Sequence, residues 1–90
     1  MHFYTIFLEW KGGTYIAQER AESVSGAIEA WARSSVADAI PDFGPTIRDQ
    51  IVADLESEVP VPISAVLNVW CHSSLAGDNL ALVHIVQTAE

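Results

Sequence analysis

The stretch His2-Phe3-Tyr4-Thr5-Ile6-Phe7-Leu8-Glu9-Trp10-Lys11-Gly12-Gly13-Thr14-Tyr15-Ile16-Ala17 decides the fold. From Phe3 to Trp10 nearly every residue is aromatic, β-branched or Leu, which is the composition of a well-buried strand. Lys11-Gly12-Gly13 follows, and adjacent glycines accept positive φ without steric cost, so a tight turn is predicted there. Thr14 to Ala21 reads as the return strand, with Tyr15, Ile16 and Ala17 as its apolar residues. The first twenty residues therefore predict a hairpin.

Beyond the hairpin, Ser23 is suited to cap a helix, because its hydroxyl oxygen can accept from the free amides of the first turn; Ser25 is the rival position. Val24, Ala27, Ile28, Trp31, Ala32 and Ser35 recur at three- and four-residue spacing, which predicts a helix reaching about Ala39. Pro41, Gly44 and Pro45 interrupt it. A second helix is expected from near Thr46, with Asp49 as a capping partner and Ile47, Ile51 and Leu55 at four-residue spacing. Pro60 and Pro62 mark an extended connector. From Ile63 to Ser73 the period returns to two, with Leu67, Val69 and Cys71 on one side and Trp70 and His72 on the other. Ala76-Gly77-Asp78-Asn79 is turn chemistry, and Leu80 to Thr88 reads as the partner strand.

The order strand, strand, helix, helix, strand, strand predicts one α+β domain over residues 1–90. Helices with a single apolar stripe must bury it against a sheet face. The expectation is thus a four-stranded, mainly antiparallel sheet with two helices on one face. Whether the two hairpins pair within one chain or between two is left open by the pattern.

Composition narrows the function classes. Ninety residues carry 12 acidic and 4 basic side chains, a formal net charge of −8, and half of them are hydrophobic. Non-specific affinity for DNA, RNA or anionic lipid comes largely from Lys and Arg neutralising phosphates, so no nucleic-acid partner is expected. Chains this apolar can offset the entropy of ordering, which argues against disorder. The apolar N-terminal run lacks a basic leader and a small-residue cleavage site, and no run nears the ~20 apolar residues of a membrane span. A cytoplasmic protein with no membrane association is the expectation. A single cysteine, Cys71, offers no internal disulfide and no thiolate cluster.

Few residues suggest chemistry. Cys71 and His72 are neighbours on a strand and point to opposite faces, so they cannot act as nucleophile and base; Cys71 reads as a small buried hydrophobe. A three-residue turn at Gly77 to Asn79 would set His72 across the hairpin from His84, and His2 could approach if the first strand lies beside them. These three histidines are the metal candidates, without an evident further ligand. Ser73, Ser74 and Asp78 lack a hydrolase's nucleophile elbow, and Gly12-Gly13 lacks the context of a phosphate loop. Asp49, Asp54, Glu56 and Glu58 crowd the second helix, with Asp54 and Glu58 four apart on one face, and read as a solvated acidic surface. Trp10, Trp31 and Trp70 read as core or interface rather than as a ligand pocket. No cofactor and no catalytic residue follow.

The run Phe3 to Trp10, then Lys11-Gly12-Gly13-Thr14-Tyr15-Ile16-Ala17, then a Ser-capped helix with Ala27-Ile28-Glu29-Ala30, resembles the N-terminal domain of HicB-like antitoxin proteins. The resemblance covers about the first third of the chain. It implies a sheet-and-helix scaffold and a protein-binding role. The Pro- and Gly-containing loop that follows the second strand in that family is absent here, and no basic DNA-binding segment follows.

Charge is unevenly spread. Residues 1–36 hold four acidic and three basic side chains, residues 37–58 six and one, and residues 59–90 two and none. The segment Ile63 to Thr88 carries one formal charge, Asp78. Long apolar strands without charges are hazardous as exposed edges, so this hairpin is expected to be central in the sheet or covered by a second copy, most simply in a symmetric dimer. The reading is a small acidic, non-enzymatic interaction module that self-associates and offers Asp49, Asp54, Glu56, Glu58 and Trp70 to a basic protein partner. The alternative is a small enzyme or a ligand- or metal-binding protein with its site at a subunit interface.

Overall fold

The two hairpins are joined within the chain by their inner strands. In the computed structural model, which describes residues 1–89, the strands β1 (His2–Trp10), β2 (Gly13–Ala21), β3 (Val61–Pro62), β4 (Val69–Ala76) and β5 (Asn79–Thr88) form one sheet in the order β2-β1-β5-β4-β3. All of its pairings are antiparallel. Five strands stand where four were expected, because the Val61–Pro62 connector adds a short edge to β4. Proline is tolerated at such an edge, where its missing N–H costs no ladder bond.

The first turn is the two residues Lys11 and Gly12, both with positive φ (47° and 81°), and Trp10 pairs directly with Gly13. Positive φ at both central positions is the twist that matches a hairpin's own twist. Helix α1 (Val24–Ala32) begins where Ser23 accepts a 3.0 Å hydrogen bond from the Gly26 amide. It stops sooner than its apolar stripe suggests. The Ser34 hydroxyl donates to the Trp31 carbonyl at 2.8 Å, a local bond that competes with helix continuation. A short 3-10 helix (Ser35–Ala39) then takes the place of the expected last turns. Helix α2 (Pro45–Ser57) is capped by Gly44 with Pro45 in its first turn, so Thr46 and Asp49 do not form the expected cap.

The expected strand at Ile63 begins only at Val69. Ala65 and Asn68 adopt positive φ (66° and 61°), which takes residues 63–68 out of extended geometry.

Burial in β1 alternates strictly: Tyr4, Ile6, Leu8 and Trp10 are buried and the residues between them are not. They share one core with Ala81, Val83 and Ile85 of β5, with Ala27, Ile28 and Trp31 of α1, and with Ile51 and Leu55 of α2. Both helices therefore cover the same sheet face. Phe43, between the helices, packs its ring edge-on to Trp10 and tilted against Trp31, each 5.6 Å between centroids. Arg48 ties this layer together from a largely buried position. It donates to the Phe43 and Ala32 carbonyls at 2.8 and 3.4 Å and pairs with Asp38 at 2.9 Å. None of the described helices is long and apolar enough to cross a membrane.

Candidate functional site

Two surfaces hold the residues singled out in the sequence, and they lie on opposite faces of the sheet. The first is the seam where α2 crosses β4. His72 and Ser74 sit there, each 3% exposed, under the helix. The Ser74 hydroxyl donates to Asp54 Oδ2, and Gln50 Nε2 donates to Asp54 Oδ1 at 2.8 Å. His72 Nε2 lies 3.3 Å from the Ile51 carbonyl oxygen. A carbonyl only accepts, so that ring nitrogen carries the proton and its lone pair is not free for a metal.

The histidine alignment expected from the sequence is overturned. The second turn is two residues, Gly77 and Asp78, with Ala76 opposite Asn79. Shortening a turn by one residue shifts the register, so His72 faces Val83 in the core, while His84 faces Cys71 on the other side of the sheet. The expected Trp70–Val86 pair fails for the same reason: Trp70 faces Ile85. His2 stands at the sheet's end, with the Gln87 side chain 3.3 Å from its Nδ1. No group of three or more His, Cys, Asp or Glu side chains among the described residues is placed to hold a metal ion.

The acidic candidates are brought only partly together. Asp49 is exposed and lies 3.9 Å from an Arg33 guanidinium nitrogen, whereas Glu56 is exposed on the last turn and Glu58 just past it, where the backbone is already extended and the helix face expected to join it to Asp54 has ended. Asp54 is half-buried and committed to Ser74 and Gln50. A shallow polar groove of about 390 Å³ runs between Asp54, Glu58, Ser73 and Leu80. Trp70 does not join the carboxylates: it is half-buried on the helix side and meets Tyr4 edge-on at 6.3 Å. Lys11 and Arg33 pair with Asp42 and Glu29 at the surface, at 3.7 and 3.9 Å, and Arg20 stacks over Phe3 at 4.7 Å. The basic side chains are thus spread over the molecule and form no stripe.

The second surface is the sheet face without helices. Cys71 belongs to it, contrary to the expectation that it is buried in the core: it is half-exposed, and partial burial pushes its thiol pKa up. Register places Ile16, Phe7, His84, Cys71 and Val61 side by side in one row across all five strands. The next row is Gln18, Thr5, Val86 and Val69, and on the other side run Thr14, Glu9, Leu82 and Ser73. Ile16, Val61, Leu75 and Leu80 are 56–66% exposed. The sequence pattern does not reveal this face, because the apolar residues it places in β4 read equally well as core.

Compared with known proteins, the chain matches no family model, no curated protein and no solved structure.

Proposed function

We propose that this chain is a non-enzymatic protein-interaction module that self-associates and carries an acidic helical surface suited to a basic protein partner. The observation that carries the reading is the division of the sheet. One face is covered by both helices, whereas the other exposes Ile16, Val61, Leu75 and Leu80. Exposed apolar side chains gathered on one face mark interaction surfaces. The polar side chains of the α2 seam are already committed, Ser74 and Gln50 to Asp54 and His72 to the Ile51 carbonyl, which favours a binding role over catalysis.

A HicB-like scaffold is part of this reading, supported by the order β1, β2, Ser23-capped α1. Asp49 and Glu56 stand on the outer surface of α2 and Glu58 just past its end, where a basic partner would meet them without competing for the open face. Sedimentation velocity of the full chain at micromolar concentration tests the reading. A species of twice 9.8 kDa is expected. A single 9.8 kDa species throughout would sink it.

A further inference from the structure

The open sheet face has the area, the polarity and the charge arrangement of a self-complementary interface. Resting on the self-association reading above, we infer that two copies stack this face against itself about a two-fold axis, giving four layers in the order helix, sheet, sheet, helix.

Three observations carry this. The first is the alternation in β4. There Val69, Cys71, Ser73 and Leu75, three of the four apolar, point away from the helices, while Trp70, His72, Ser74 and Ala76 point toward them. A strand whose open side is mostly apolar is built to be covered on that side. Four long strands ~4.8 Å apart, with about nine residues each at ~3.3 Å rise, make a face of roughly 600 Å² in plan, and side chains standing out of it add accessible area. Two such faces reach the ~1,200 Å² at which stable specific interfaces begin.

The second is charge placement. Strands β4 and β5 contribute no Lys, Arg, Asp or Glu side chain to the face, apart from Asp78 in the turn between them. Its charged members are Arg20 at one end of β2 and Glu9 toward the other end of β1. An axis running across the strands between the Thr5 and Phe7 rows exchanges the Phe3–Arg20 row with the Thr14–Glu9 row. It therefore lays Arg20 of each copy beside Glu9 of the other. An isologous interface needs this self-complementarity.

The third is the location of the remaining charge. Helix α2 and its approach hold most of the net negative charge, on the far side of the sheet. Face-to-face stacking places the two acidic layers roughly 30 Å apart, given sheets ~10 Å apart and helices ~10 Å thick. That is several Debye lengths (~8 Å) at physiological salt, so the acidic layers scarcely repel.

The competing occupant of this region is an edge pairing through β2. By the parity of its two-residue turn, Thr14, Ile16, Gln18 and Arg20 turn their backbone groups outward along that edge. Edge pairing would leave the apolar face in water.

Sedimentation equilibrium of the full chain and its variants separates these arrangements. Leu82→Lys, on β5 in the Glu9 row of the face, is expected to weaken the dimer at least a hundredfold with the far-UV spectrum unchanged, whereas the outward backbone amides of Ile16 and Gln18 on the β2 edge stay open to hydrogen exchange in the native dimer. Should Leu82→Lys not fold, the charge variants decide. Arg20→Glu and Glu9→Arg each weaken association about tenfold, and the double variant Glu9→Arg/Arg20→Glu recovers the native value within about threefold. A dimer that resists Leu82→Lys and both single charge reversals but protects the Ile16 and Gln18 amides from exchange overturns the stacked arrangement and leaves self-association standing. A native chain that stays monomeric to 100 µM, as a rough ceiling for a specific dimer, overturns both.

Discussion

The two sides of β1 make the most instructive comparison in the molecule. Tyr4, Ile6, Leu8 and Trp10 on one side and Phe3, Thr5, Phe7 and Glu9 on the other come from the same nine residues with much the same strand propensity. Their environments differ because both helices lie on one side only. The buried side is packed as a core, with Ile6 and Leu8 fully enclosed. The open side is held by weaker, more local contacts. Gln18 donates to Thr5 at 3.1 Å, Thr14 to Glu9 at 3.0 Å, and the Thr5 and Thr88 hydroxyls meet at 2.6 Å. Strand formation and core membership are separate properties, and a strand as apolar as this one needs covering on both faces.

The sharpest way to break the comparison is to truncate neighbours. Ile6→Ala should cost ~2–5 kcal/mol of folding stability through lost burial and a cavity. Phe7→Ala, on the open side, should cost about 1 kcal/mol or less in a sample dilute enough to be monomeric. Urea denaturation of both variants measures the gap, and equal losses would mean that the open side is packed as tightly as the core.

A smaller effect is expected at the α2 seam. Asp54→Ala leaves the buried Ser74 hydroxyl without its acceptor and should destabilise by ~1–3 kcal/mol. Adding Ser74→Ala should recover part of that loss, because the stranded group is then gone. A double-mutant cycle with no coupling would show that Asp54 and Ser74 do not depend on each other.

Tyr4 gives the buried side a signature in pH. Burial first, and the charge of Glu22 second, raise the Tyr4 phenol above its ordinary value. A group with a raised folded-state value contributes stability that is complete below the unfolded value, ~10 for tyrosine, and is lost as pH climbs from there through the folded value. Thermal unfolding followed upward from pH 9 should show that decline, and Tyr4→Phe should flatten it while changing neutral stability little. An unchanged alkaline slope in Tyr4→Phe would assign the decline to other groups.

The smallest effect is expected at Trp10. Its indole N–H is buried with no hydrogen-bond partner among the described residues. Trp10→Phe removes that unpaired donor as it removes packing, so the two changes offset and the net shift should stay within about 1 kcal/mol. A loss of several kcal/mol in calorimetry would show that the indole's packing outweighs its stranded N–H.

Local chemistry made much of the fold legible. Gly12 after an apolar run marked the first turn, Ser23 specified where α1 begins, and Ile47, Ile51 and Leu55 specified the inward stripe of α2. The places where reading failed share a cause. Ser34 could shorten α1 only because its hydroxyl reaches a carbonyl that periodicity does not count. The strand expected at Ile63 failed because β-branched residues surround Ala65 and Asn68, whose positive φ no hydrophobic pattern reveals. In β4 the usual rule fails at three positions. Polar His72 and Ser74 are inside because α2 offers them the Ile51 carbonyl and Asp54, while apolar Leu75 is outside.

Sequence by itself determined that this is an acidic α+β chain with a glycine-turned hairpin, two helices and a nearly uncharged final hairpin, because turns, caps and periodicity are settled within a few residues of chain. Tertiary structure decided which face of each strand is covered and that β5 lies beside β1. Those outcomes turn on pairings between residues some eighty positions apart, and a one-residue change in a turn reverses them because a strand's side chains alternate with period two.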